Sequence, residues 1–155
     1  MGIQCRVSNP IIPFLSTVQN SRDHRKICVI DGKVAFTGGV NLADEYANEI
    51  TRFGHWKDTA IMLKGDAVQS FTMLFLEMWA VNQMEPADCQ NYLTPKHVVP
   101  DPPHGYVIPY GDHPYDNENV GEEVYFHILN HSKKYVHIMT PYLILDSEMI
   151  TTLTR

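Results

Sequence analysis

The spacing of apolar residues changes several times along this 155-residue chain, and each change marks a structural element. Residues 25–30 (RKICVI) and 33–37 (KVAFT) are β-rich runs separated by Asp31 and Gly32, a dipeptide that favours a two-residue type I′ hairpin turn. A short polar helix or turn follows at 41–46, then a strand from about Trp56 to Leu63 whose residues alternate between faces. Gly65 and Asp66 then lead into an apolar helix that reaches about Asn82, with Gln69 three residues after Asp66 as a capping-box partner. Val68, Phe71, Leu74, Phe75, Met78 and Trp79 form its core stripe at helical spacing.

The second half is less regular. Residues 95–114 hold six of the ten prolines, which argues for a linker or an extended crossing segment, with one short candidate strand at 106–108. Val120, Val124, Phe126, Ile128 and Leu129 suggest a second amphipathic helix, and residues 135–139 a strand. Asp146 is a candidate N-cap for a last helix, and residues 3–7 (IQCRV) read as a strand at the other end. Strand, helix and strand in that order predict an α/β architecture, with helices covering a mixed sheet.

Composition narrows the classes. The length suits one compact domain, and 44% hydrophobic residues suffice for a core. No run approaches eighteen apolar residues, so this stretch is expected to be soluble. Cys5, Cys28 and Cys89 have neither C-x-x-C spacing nor an even count, and read as reduced, partly buried thiols. A net charge of -6 argues against nonspecific attraction to nucleic acid or to an anionic bilayer.

The candidate chemistry lies in residues 24–41. His24 and Lys26 stand two apart at the start of the first strand, so a period of two puts them on one face, about 7 Å apart. A nucleophile and a cation can thus meet one phosphate. Asp31 has opposite parity and begins the turn, which marks it as a hairpin or salt-bridge residue. Gly38 and Gly39, without a Cβ, would let backbone amides approach a phosphoryl group, and Asn41 would donate to the same group. Asp58, in the next strand, suits the role of a carboxylate that fixes the His24 tautomer. The alternative for Asp58 is a surface pair with Lys57 or Arg52.

The full spacing, H-x-K-x4-D-x6-G-G-x-N, resembles the signature of the phospholipase D superfamily. Flanking residues 41–46 (NLADEY), 53–59 (FGHWKDT), 116–120 (DNENV) and 140–143 (TPYL) narrow the resemblance to its bacterial cardiolipin synthase branch. Gly39 stands where many superfamily members carry a phosphate-binding serine, so that hydroxyl contact is absent.

The resemblance implies a phospholipase D-like mixed sheet flanked by helices. It implies part of a first such domain at 1–83, a crossing segment at 84–117, and the start of a second domain at 118–155. It further implies a parent enzyme that transfers a phosphatidyl group between two phosphatidylglycerol molecules, giving cardiolipin and glycerol. His24 would form the phosphohistidine intermediate, and no metal or other cofactor is needed. The family builds its site from two His-Lys motifs, so the second would come from another part of the parent chain or from a homodimer partner. Attachment to the bacterial cytoplasmic membrane would come from segments outside this stretch. A phosphodiesterase or nuclease with water as acceptor, and a catalytically inert fragment, are the alternatives.

The other histidines read as solvated. His55 adjoins the predicted strand, while His97, His104 and His113 lie in the Pro-rich segment without metal-ligand spacing. His127 and His131 are four apart on a predicted helix, with no third ligand evidently convergent.

Overall fold

A computed structural model of the chain describes residues 2–7, 23–81, 89–93, 105–112, 118–140 and 142–155. It forms two compact units, Met1–Pro109 and Tyr110–Arg155. His97, His104 and His113, with most of the Pro-rich segment and parts of the 116–120 and 140–143 motifs, lie outside the described residues.

The larger unit is built on a hairpin. β1 (Ile27–Ile30) and β2 (Val34–Gly38) pair antiparallel, and β3 (Ala60–Lys64) pairs antiparallel with β2, giving the order β1-β2-β3. Among the described residues the sheet is wholly antiparallel, so the expected mixed sheet is corrected to a smaller antiparallel one within an α/β arrangement. Asp31 and Gly32 take φ of 53° and 62°, the left-handed values that a type I′ turn needs, and Lys33 N–H donates to Ile30 O at 2.9 Å. The ladder nevertheless begins with Ile30 opposite Val34, so Lys33 is an extra loop residue and the connection has three residues.

One face of the sheet is covered by α1 (Ala67–Ala80). Ala35, Val68 and Phe71 are buried, with Ile27, Val29 and Leu63 packed against them. Complete burial of a side chain such as Val68 stabilises by about 1.5–3 kcal/mol. The buried stripe of the helix continues through Thr72 and Leu76, whereas Phe75 is 46% exposed and stacks on Trp79. Thr72 is tolerated there because its hydroxyl donates to Val68 O at 2.9 Å. On the opposite face Cys28, Phe36 and Met62 stand side by side in register, with Cys28 and Met62 exposed.

Several expected elements do not form. The capping box is absent: Asp66 has helical angles (φ -62°, ψ -30°), which turn its carboxylate away from the first amides, and its side chain caps nothing. Residues 3–7, 106–108 and 135–139 have strand-like composition but no ladder, because a strand requires a partner and none is present among the described residues. Arg6 instead lies over the Trp79 ring, 4.3 Å from its centroid, and donates to Trp79 O at 2.9 Å. Cys5 and Cys28 are exposed, which corrects the partly buried reading, while Cys89 is half-buried.

The smaller unit holds α2 (Val120–His131) and α3 (Ser147–Leu153). α3 is capped by Asp146, whose Oδ1 accepts from Met149 N–H at 2.7 Å. α2 is held from outside the helix: both carboxylate oxygens of Asp112 accept from Gly121 N–H, at 3.0 and 2.9 Å. That cap spans nine residues and has no local sequence signature. Glu122 and Asp146 join the helices through a shared hydrogen bond, which raises Glu122 above its ordinary value, with burial and the nearby acidic charges acting in the same direction. Asp146 is held low, first by the Met149 amide and then by the Glu122 bond.

Candidate active site

His24 and Lys26 lie just before β1, and their side chains come together. The Lys26 ammonium lies 3.0 Å from His24 Nδ1 and 3.3 Å from Nε2, and it donates to His24 O at 2.7 Å. His24 is exposed and Lys26 half-buried. Their neighbours remove a competing charge. Arg25 is locked onto Asp23 by Nε to Oδ1 at 2.8 Å and Nη2 to Oδ2 at 3.1 Å, a bidentate pair. Burial pushes the Asp23 carboxyl up, but the Arg25 hydrogen bonds and the charges of Arg25 and His24 outweigh it and hold it below the usual range. Arg25 is thereby neutralised, which leaves Lys26 as the cation beside the imidazole.

Lys26, Gly38 and Asn41 line one cleft of about 480 Å³, together with Arg25, Val40 and Leu42. The cleft lies beside β1 and β2, where β2 ends and the chain turns away.

The two glycines meet the protein itself at close range. Gly39 N–H donates to Thr59 O at 3.0 Å, so that amide is committed to the neighbouring chain and is not presented to a ligand. A Cβ on Gly39 would lie 2.8 Å from Asp58 Oδ1, and one on Gly38 would strike Thr59 O and lie 2.6 Å from Ala60 Cα. The glycines therefore admit the segment that leads into β3.

Asp58 occupies this junction. Its Oδ2 accepts from the Trp56 indole at 2.7 Å, and its Oδ1 faces Gly39. Among the described residues no ion pair joins Asp58 to Lys57 or Arg52, and Arg52 pairs with Glu45 at 3.5 Å. Among the described residues no hydrogen bond joins Asp58 to His24. Asp31 is beyond the opposite end of β1 from His24, at the hairpin tip, where it lines a separate cleft with Arg6, Thr72, Trp79 and Tyr92.

Sequence reasoning assigned no role to Trp56, Asn48 or Asp23. The first belonged to a recognised motif, and the last two act through contacts that residue type alone does not signal. Among the described residues no group of three or more His, Cys, Asp or Glu side chains is placed to hold a metal ion. In the smaller unit the His127 and His131 rings stack with centroids 4.1 Å apart, and His131 Nδ1 is 2.8 Å from His127 O.

The chain is 59% identical over 150 residues to an uncharacterized protein of Streptococcus mutans, covering 96% of this chain and 32% of that one. It is 34% identical over 153 residues to a cardiolipin synthase of Geobacillus kaustophilus, covering 98% of this chain and 30% of the relative. It is 37% identical over 141 residues to cardiolipin synthase 2 of Bacillus cereus, covering 91% and 27%. The chain thus spans about a third or less of the length of the curated relatives it matches. No family model matches it, and neither does any solved structure. Relatives named cardiolipin synthase thus match nearly all of this sequence, and the chain is a member of the phospholipase D superfamily.

Proposed function

We propose that this chain supplies the first half of a phosphatidyltransferase site that makes cardiolipin from two phosphatidylglycerol molecules. The observation that carries the reading is the convergence of His24 and Lys26, with Lys26 and Asn41 lining the same cleft. Relatives named cardiolipin synthase supply the substrate class.

The chemistry follows from these groups. His24 attacks phosphorus through a ring nitrogen, a P–N bond forms, and the P–O bond to glycerol breaks. Lys26 and the Asn41 amide meet the nonbridging oxygens, whose charge develops during attack. A hydroxyl of a second phosphatidylglycerol then attacks the phosphohistidine and releases His24. Asp58 serves as the carboxylate of the site, while Asp31 belongs to the hairpin. Gly38 contributes to the cleft wall and Gly39 to the seat of Asp58.

A proton donor for the leaving alkoxide has to come from a second His-Lys motif, in the parent chain or in a homodimer partner. In this reading residues 1–83 belong to the first phospholipase D-like domain, 84–117 cross over, and 118–155 open the second. Among the described residues no helix is long and apolar enough to cross a membrane, and membrane attachment is assigned to other segments of the parent.

The test is turnover of labelled phosphatidylglycerol by the full-length protein, wild type and His24→Ala. Labelled cardiolipin with wild type alone is expected. Phosphatidic acid as the sole product would instead mean that water is the acceptor. Retention of label by the 155-residue chain, and its loss in His24→Ala, would show that the half-site forms the phosphohistidine.

A further inference from the structure

We infer that Trp56 is the positioning residue for Asp58, and that Asn48 and Gly39 complete the seat in which that carboxylate is held. The inference rests on the reading of Asp58 as the carboxylate of the site.

Trp56 and Asp58 are two residues apart in the segment that leads into β3, and their side chains meet on one side of the backbone. The indole Nε1–H donates to Asp58 Oδ2 at 2.7 Å, a short bond to a charged acceptor in a part-buried setting. A donor positions its partner only if it is itself fixed, and Trp56 is fixed twice. Its ring packs edge-on against Tyr46, with centroids 5.1 Å apart, and against Phe53 at 5.8 Å.

Its backbone is held by a single side chain. The Asn48 amide donates to Trp56 O at 2.9 Å, and its Oδ1 accepts from Trp56 N–H at 2.6 Å. One side chain thus supplies the two hydrogen bonds that an antiparallel neighbour would make. Asn48 reaches this position from a left-handed backbone, φ 61°, a conformation that asparagine tolerates better than most residues.

The remaining side of the seat is Gly39. Because a Cβ there would lie 2.8 Å from Oδ1, a larger residue requires the carboxylate to shift. Trp56 therefore fixes one oxygen by a hydrogen bond, and Gly39 makes room for the other. A purely structural pair would need only the ring packing. The directed N–H adds control over which way the carboxylate points.

Trp56→Phe separates these roles, since it keeps an aromatic ring and removes the donor. In the 155-residue chain, whose two tryptophans are Trp56 and Trp79, the Trp56 indole N–H resonance is assigned by its disappearance in that variant. Asp58→Ala should move this resonance upfield and speed its exchange while leaving Trp79 unchanged. An unmoved Trp56 resonance would overturn the inference.

In the full-length enzyme, Trp56→Phe should lower kcat about tenfold or more with little change in KM, and should add nothing in an Asp58→Asn background. An equal loss in both backgrounds would overturn the positioning role. If Asp58→Asn leaves turnover intact, the reading of the site fails and the role falls with it. The indole resonance distinguishes that outcome from a missing contact.

Discussion

The Lys26 ammonium donates to the carbonyl oxygen of His24 at 2.7 Å while lying 3.0 Å from its Nδ1, so the cation is tethered to the residue it serves. The tether explains how an exposed histidine keeps a positive charge beside it without a second element of structure. Lys26→Met in the full-length protein should lower kcat/KM by about 10²–10³, the usual cost of losing one donor to a developing anion. Lys26→Arg should recover part of that loss. Kinetics that fall no more than a few fold in Lys26→Met would rule out this cation as the phosphoryl clamp.

Asp31 and Asp58 lie in different settings, the hairpin turn and the segment that leads into β3, and the proposed reading gives them different roles. Asp58→Asn should cost far more turnover than Asp31→Asn, and the reverse ranking would refute the assignment. Because Asp31 has φ 53°, Asp31→Asn and Asp31→Gly should leave stability nearly unchanged, whereas Asp31→Val should destabilise by about 1–2 kcal/mol. Urea denaturation of the three variants checks this.

Gly38 and Gly39 differ in what surrounds them. Gly38→Ala meets backbone, at Thr59 O and Ala60 Cα, and should destabilise by about 1–3 kcal/mol or more. Gly39→Ala meets only the Asp58 side chain, so its stability loss should be smaller and its loss of turnover larger. Equal unfolding midpoints for the two variants would contradict the packing described for these positions.

The bond between Glu122 and Asp146 sets a pH window for the smaller unit. Glu122 is raised in the folded state, so its contribution is fully present below its unfolded value and disappears as pH rises through the folded one. Asp146 is lowered, so its contribution is present above its unfolded value and disappears as pH falls through the folded one. Glu122→Gln keeps a donor at all pH values. Its stability relative to wild type should therefore increase as pH rises through the Glu122 titration, measured by thermal unfolding of the helical signal. A constant difference across that range would exclude the shared proton.

The hairpin, the helix from Ala67 and the pairing of His24 with Lys26 were legible because each depends on neighbours in sequence. Composition misled where a strand was called for without a partner, at residues 3–7 and 135–139. Gln69 after Asp66 had the letters of a capping box, but the helical angles of Asp66 keep its carboxylate from the amides. The stripe on α1 was traced correctly at Val68 and Phe71, then drifted, because Thr72 satisfies its hydroxyl inside the helix and takes a place that hydropathy would give to an apolar residue. The seat of Asp58 was invisible for a different reason. It depends on Asn48 folding back eight residues to Trp56, and on the chain before β3 passing close to Gly39.

The reach from Asp112 to Gly121 has a practical meaning for anyone dividing this protein. A polypeptide begun at residue 118 would contain every residue of α2 and α3, yet it would lack the carboxylate that accepts from the first turn of α2. Its leading helix should fray, at a cost of about 1 kcal/mol for a lost cap. The smallest piece that keeps this helix start intact begins at or before Asp112.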